Sequence, residues 1–254
     1  MINISNRLYI STTADDAASI AREHGFGLEI AEFCTAANMD HGLFEEYNKR
    51  ALANMKGVSS FVLHAPFNEI SPAAIDPLIL KVAEKRYSQA AGIMRGYGIN
   101  KMVAHSGFLP QVYYEQWFVP KSVEFWQKFL SDKSESFELC IENVLESSPD
   151  MLCKIAKEVN DGRLKLCFDA AHAAIMSPEL SAMQWAERML PYLGHVHLHN
   201  NFGEIDTHNA LGNGIVDIAK LIEFIAGEKA DVTFSIEAID AKTSVNWLYA
   251  RGFV

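Results

Sequence analysis

Seven apolar segments of this chain run into an acid or a histidine. They are Gly27-Leu28-Glu29, Val62-Leu63-His64, Val103-Ala104-His105, Cys140-Ile141-Glu142, Cys167-Phe168-Asp169, His195-Val196-His197 and Ser235-Ile236-Glu237. A carboxylate or imidazole just past an apolar strand is costly to bury unless it is paired or bound to a metal. One such ending means little, but seven in order describe one crowded polar site. Two further clusters join it: Asp169-Ala170-Ala171-His172, and Asp206-Thr207-His208. If the second is extended, its Asp and His point the same way, because period-two residues share a face. Gly212-Asn213-Gly214 is expected to turn the chain sharply before the next helix.

Mixed carboxylate and imidazole donors suit zinc or manganese, with iron or cobalt as alternatives, better than magnesium or calcium. One to three ions per chain fit the number of donors. Glu142 and Glu237 end the fifth and eighth strands and are expected to face each other across the mouth. Opposed carboxylates that hold a metal can also move protons to and from a sugar carbon. Taken singly, each residue has a plainer reading. Glu29 could bind substrate or simply accept hydrogen bonds from loop amides. His195 lies deepest of the alternating His195, His197 and His199 and is expected to pack inside the barrel. His24 and His41 are read as solvated.

The elements that must position these residues alternate along the whole chain. Strands are expected near 8–11, 26–30, 60–64, 101–105, 138–142, 164–169, 194–198 and 232–237, several of them continuously apolar, as strands covered on both faces are. Asp76-Pro77 opens a long helix to about Tyr97, with Asp as cap and Pro in the first turn. Ser148-Pro149-Asp150 does the same before Met151–Val159, and Gly25 and Gly98 stand where helices end. The aromatic segment 106–120 reads as a loop and helix start beside the site. Eight strand-helix units in 254 residues predict a single (β/α)8 TIM barrel over residues 1–254. In that fold the metal site lies at the C-terminal ends of the strands.

Composition narrows the partners. There are 32 acids against 22 bases, a net charge of −10, and no Lys/Arg run. Binding along nucleic-acid phosphates is therefore not expected. The four cysteines form no Cys-x-x-Cys pair, and Cys140 and Cys167 sit inside strands as small buried hydrophobes. No segment reads as a signal peptide or membrane span, so a cytoplasmic protein is expected. A homo-oligomer is compatible with all of this.

The motifs, taken together, resemble those of the xylose isomerase-like barrel superfamily, which includes sugar isomerases, epimerases and the endonuclease IV class of abasic-site nucleases. Leu63-His64-Ala65-Pro66-Phe67 is similar to the His-Ala-Pro-aromatic segment of that nuclease class. Ile141-Glu142-Asn143-Val144 resembles its Leu-Glu-Asn-Thr, and Asp169-Ala170-Ala171-His172 its Asp-x-x-His. His197-Leu198 with Asp206-Thr207-His208-Asn209-Ala210-Leu211-Gly212-Asn213-Gly214 resembles its His-Leu and Asp-x-His-x-x-Leu-Gly-x-Gly. Ile236-Glu237 completes the set.

The resemblance implies up to three metals. His64, His105 and Glu142 would hold one. Glu142, Asp169, His197 and Glu237 would hold a second, with Glu142 bridging. His172, Asp206 and His208 would hold a third. In the sugar enzymes only the second cluster is essential, and its two Glu residues also move the proton. The chain departs from the nuclease pattern where it reads His197-Leu198-His199-Asn200-Asn201, without the acid that follows His-Leu-Asn, and where Ser106-Gly107 replaces Pro-Gly after His105. It also lacks basic loops that would open duplex DNA. The expectation is a metal-dependent isomerase or epimerase of a small sugar or polyol, phosphorylated or not. Glu142 and Glu237 would be catalytic, and His172, His199 and Glu29 would bind substrate. The alternatives are an endonuclease IV-like phosphodiesterase with a trinuclear site, and a binding or regulatory protein without turnover.

Overall fold

The computed structural model describes residues 2–254. Eight parallel strands pair in sequence order and close into a barrel: β1 (Leu8–Ser11), β2 (Gly27–Ile30), β3 (Phe61–His64), β4 (Lys101–His105), β5 (Glu138–Glu142), β6 (Leu164–Asp169), β7 (Leu193–Leu198) and β8 (Thr233–Ile236). Around them, among the described residues, run α1 (Ala17–His24), α2 (Phe44–Met55), α3 (Pro77–Tyr97), α4 (Glu115–Leu130), α5 (Asp150–Val159), α6 (Ala170–Met176), α7 (Ala182–Met189), α8 (Ile218–Glu228) and α9 (Ala241–Arg251). This is a (β/α)8 TIM barrel.

Local chemistry explains the element ends. The Asp76 carboxylate accepts the Leu78 amide at 2.7 Å and starts α3, which Gly98 ends in the left-handed conformation, φ 71°. At α5 the cap differs from expectation: the helix begins at Asp150 itself, whose amide donates to the Ser148 hydroxyl at 3.1 Å. Glu237 lies one residue beyond β8 rather than inside it. No helix among the described residues is long and apolar enough to cross a membrane.

The strand pleat splits the interior in two. Leu8, Ile10, Leu28, Leu63, Met102, Ile141, Phe168 and Ile236 pack with the helices into one large core. Alternate residues form a separate, thin cluster of Val62, Val103, Cys140 and Cys167, against which Tyr9 packs. Burial pushes the Cys140 thiol up to about 12, so it serves as a small hydrophobe.

Nearer the strand N-termini the barrel carries an ionic plug. Glu138 pairs with Lys101 at 2.7 Å and with Lys165 at 2.8 Å, and Lys101 also donates to the Thr233 hydroxyl and the Gly194 carbonyl. A Cβ at Gly194 would stand 2.6 Å from the Lys165 side chain, so glycine leaves that lysine its room. Removing the shared carboxylate should leave Lys101 without an ion-pair partner and Lys165 with only the more exposed Asp231, 3.7 Å away. We expect Glu138→Ala to lower stability by roughly 3 kcal/mol in urea unfolding. A loss below about 0.5 kcal/mol would mean that solvent screens the plug.

Candidate metal centre

The opposite end of the barrel gathers the strand-end residues. Register sets His105 beside Glu142 and Asp169 beside His197. Glu142 is fully buried at the centre. Its Oε2 lies 3.6 Å from His64 Nε2 and 3.5 Å from His105 Nε2, while Oε1 lies 3.2 Å from His197 Nδ1 and 3.3 Å from His172 Nδ1. None of these approaches is aligned as a hydrogen bond from the His64, His105 or His197 rings. Both Glu142 oxygens and His197 Nδ1 are buried without a hydrogen-bond partner.

The rings are held from outside. Nδ1–H of His64 donates to the Ala65 carbonyl at 2.9 Å, that of His172 to the Asn143 carbonyl at 3.0 Å, and that of His208 to the Glu237 carbonyl at 3.0 Å. A carbonyl can only accept, so each ring keeps Nε2 for the carboxylates inside. His197 is held the other way round: its Nε2 donates to Glu29 Oε1 at 3.1 Å, and Nδ1 faces Glu142 and Glu237, both at 3.2 Å. Glu29 thus meets two histidines, His197 and His195, instead of the loop amides or substrate that the sequence offered it, and both its oxygens are taken. His195 lies below, with Nδ1 2.6 Å from the Thr233 hydroxyl and Nε2 2.9 Å from that of Ser235.

Asp169 caps α6 by accepting the His172 amide at 2.7 Å, and its other oxygen accepts from His199 Nε2 at 2.7 Å. Beyond it, Asp206 Oδ2 lies 3.1 Å from His172 Nε2 and 3.0 Å from His208 Nε2. His199 stacks on His208, with centroids 4.0 Å apart. The Asp206–His208 segment is not extended as expected, since His208 has φ 47°. The Asn200–Asn209 bridge and the bond from the Ile239 amide to the His208 carbonyl bend it inward. Such a conformation in a non-glycine residue costs of order 1 kcal/mol. Gly212 and Gly214 have no positive φ. They serve close approach, because a Cβ would strike Trp247 at the first and Asn200 at the second.

Charge in the site is carried without lysine or arginine. Every ion pair of Glu29, Glu142, Asp169, Asp206 and Glu237 among the described residues is to a histidine. Burial alone would raise the carboxylates, but His197 and His105 hold Glu142 well below its ordinary value, and His172 and His199 hold Asp169 at about 2. For Glu237 burial wins, helped by Glu29 and Glu142, and its pKa rises. Among the rings, burial drives His105 down to about 3. His172 and His197 lie well above the ordinary histidine value despite burial, and Asp206 lifts His208 to about 9.

Inward carboxylates, inward lone pairs and outward anchors are what a divalent cation requires. The partnerless Glu142 oxygens and His197 Nδ1 are the atoms such an ion would satisfy. Eight closed strands and this donor set agree with a family model described as xylose isomerase-like TIM barrel, which matches residues 9–251. The chain belongs to that family. Within the curated proteins it is similar to the uncharacterized protein MJ1311 of Methanocaldococcus jannaschii, 24% identical over 195 residues. The match covers 72% of this chain and 66% of that relative. Among solved structures, a D-tagatose 3-epimerase-like protein aligns with a TM-score of 0.76 at 20% identity, covering 97% of this chain and 96% of the other. The TTHB071 protein of Thermus thermophilus, from crystals soaked with ZnCl2, aligns with a TM-score of 0.75 at 20% identity, covering 96% and 97%. At these identities the structural likeness shows the barrel.

All nine donors that the xylose isomerase-like resemblance singled out, with Glu29 and His199, fall in this one cluster. His24, read as solvated, is instead half-buried, stacked on Phe26 and bonded to the Tyr249 hydroxyl at 2.8 Å. Two residues escaped the sequence reading. Asn143 clamps Asp169 through both amide and carbonyl. Glu146, fully buried and raised in pKa by that burial, bonds Ser106 and the Val144 amide. Asn143 stands inside the Ile141–Val144 motif, whereas nothing in its neighbourhood marks Glu146.

Raised histidines must lose their protons before they can ligate. Zinc affinity should therefore climb from pH 6 through about 9, the value to which His208 is raised, with protons released on binding. Glu29→Gln should weaken zinc about tenfold to a hundredfold. Competition titration with a chelator, repeated in two buffers by calorimetry, measures both. Affinity independent of pH between 6 and 8 would remove these histidines from the ligand set.

Proposed function

We propose that the protein is a metal-dependent isomerase or epimerase acting on a small sugar or polyol. The observation that carries this reading is the contact of Glu142 and Glu237 with one His197 nitrogen, 3.2 Å from each. Two carboxylates from strands three apart in the barrel thereby meet in a site without competing cations. Glu142, Asp169, His197 and Glu237 would hold the divalent ion, zinc or manganese. When bound, the ion supplies Lewis acidity, drawing charge from a sugar carbonyl so that the neighbouring C–H bond becomes acidic. One of Glu142 and Glu237 takes that proton from carbon, and the other returns a proton at carbon. Glu29 keeps the His197 ring in place, and His172 and His199 are placed to meet substrate hydroxyls. The free state of all four cysteines suits an enzyme of a reducing compartment. The likeness to a D-tagatose 3-epimerase-like protein supports the sugar class.

Glu142→Gln and Glu237→Gln should each lower exchange of a carbon-bound sugar proton with solvent by at least about a hundredfold. The fold should survive, as judged by circular dichroism, because the side chains lie at the mouth rather than in the main core. Proton NMR of a ketose panel in D2O reads the exchange directly. Retained turnover in either variant would dissolve the pair.

One observation favours a second reading, a phosphodiesterase: the outer clusters His64–His105–Glu142 and His172–Asp206–His208 are assembled as well. Its weakness is charge, since register on DNA comes from phosphates flanking the reacting one. We expect no incision of abasic duplex DNA at moderate salt. Efficient, chelator-sensitive incision, with no proton exchange across the ketoses, would reverse the two readings.

A further inference from the structure

Beside the metal centre lies a cavity of about 430 Å³ that no step of the proposed reaction uses. It opens against His105, so it shares a wall with the cluster around Glu142. Phe67 stacks on that ring, with centroids 4.3 Å apart and planes at 15°, and forms the junction. The rest is largely Ile70, Ile79, Phe108, Leu109 and Val144. None of its twelve lining residues is lysine or arginine, and the carboxylate among them, Glu69, would repel an anion.

The walls are built in advance rather than gathered by a ligand. A Cβ on Gly107 (φ 72°) would lie 2.6 Å from the Ile70 carbonyl, so the β4–α4 loop rests directly on the β3–α3 loop. Trp117 Nε1 donates to the Ala73 carbonyl at 2.9 Å and ties the start of α4 to the same loop. Glu146 joins the third wall, bonding Ser106 on one side and the Val144 and Leu145 amides on the other. Three loops are thus locked around an apolar space next to the donors. A pocket of this size and lining, with one polar wall, takes an apolar group joined to a polar one. A phosphate would need paired donors or cations that these walls lack.

We infer that the substrate carries an uncharged, apolar substituent, of the size of an aromatic ring, that sits in this cavity while its polyol part faces the metal centre. This rests on the proposed sugar chemistry for the polyol part alone; the cavity's preference for an apolar group stands apart from it. The substrate class is then a glycoside or other apolar conjugate of a sugar, in place of a sugar phosphate.

The test uses the full chain and four probes: 4-fluorophenol, phenyl β-D-glucopyranoside, D-glucose and D-glucose 6-phosphate. The 19F line of 4-fluorophenol should broaden on adding protein, and should sharpen again with Val144→Trp, which fills the space, or Leu109→Lys, which charges it. Calorimetry should give phenyl glucoside at least about tenfold tighter binding than D-glucose, as expected for removing one ring from water, with the phosphate ester weakest. Leu109→Lys should narrow or invert that order. Broadening of 4-fluorophenol without any binding of the sugars upholds the apolar cavity and removes the sugar reading. Tighter binding of the phosphate to the unaltered chain, or an apolar preference that both variants leave unchanged, overturns the inference. Proton exchange in the ketose panel judges the proposed reaction separately.

Discussion

A buried carboxylate with no hydrogen bond is the constraint on which the mouth of this barrel turns. Taking such an ion out of water costs several kcal/mol unless opposite charge surrounds it. Glu142 meets that demand with His64, His172 and His197, all raised above the ordinary histidine value, while the fourth ring within 3.6 Å, His105, stays neutral. Those rings can answer it in two ways, by carrying protons or by sharing a cation. The same geometry therefore couples folding to the protonation of these rings. Its neighbours divide the work: Glu237 stays closer to its neutral form, while Asp169 is held ionised by His172 and His199.

What keeps the cluster in register comes from beneath it. A line of polar contacts runs from Glu138 and Lys101 through the Thr233 hydroxyl to His195, then Glu29, then His197. It passes beside the thin cluster of Val62, Val103, Cys140 and Cys167, too small a core to fix side chains by packing alone. The large outer core under the helices supplies stability. The inner polar line supplies position.

How much of this is legible in the sequence follows from the range of each interaction. Strand ends are legible because a period-two pleat sends alternate residues inward, and because an acid after Cys-Ile or Ser-Ile breaks an apolar run. The Asp76 and Gly98 ends of α3 are legible because capping is local. Glu29 is not, for the opposite reason: its partners on β7 lie 166 and 168 residues away, and no neighbouring residue announces them. The left-handed His208 is imposed by the Asn200–Asn209 bridge, a contact between two strands of a loop rather than a property of Asp-Thr-His. Gly214 has the look of a turn residue, yet its duty is to let Asn200 pass. Glu146 is invisible because one oxygen is taken by backbone amides of its own loop and the other by Ser106, forty residues away, which no local side-chain pattern encodes.

The anchoring of the rings bears on how this centre can decay. His64, His172 and His208 are oriented by main-chain carbonyls, of Ala65, Asn143 and Glu237. No substitution deletes a carbonyl, so side-chain change at Ala65 leaves that anchor standing, and harm arises only if the loop path moves. His197 and His199 depend instead on side chains, those of Glu29 and Asp169, which a single codon change can erase. Of these two, Glu29 on β2 is the one that is not itself among the nine candidate donors, so its loss leaves every donor in place. Variants that keep the fold and all nine candidate donors yet lose the orientation of the His197 ring should accumulate there first.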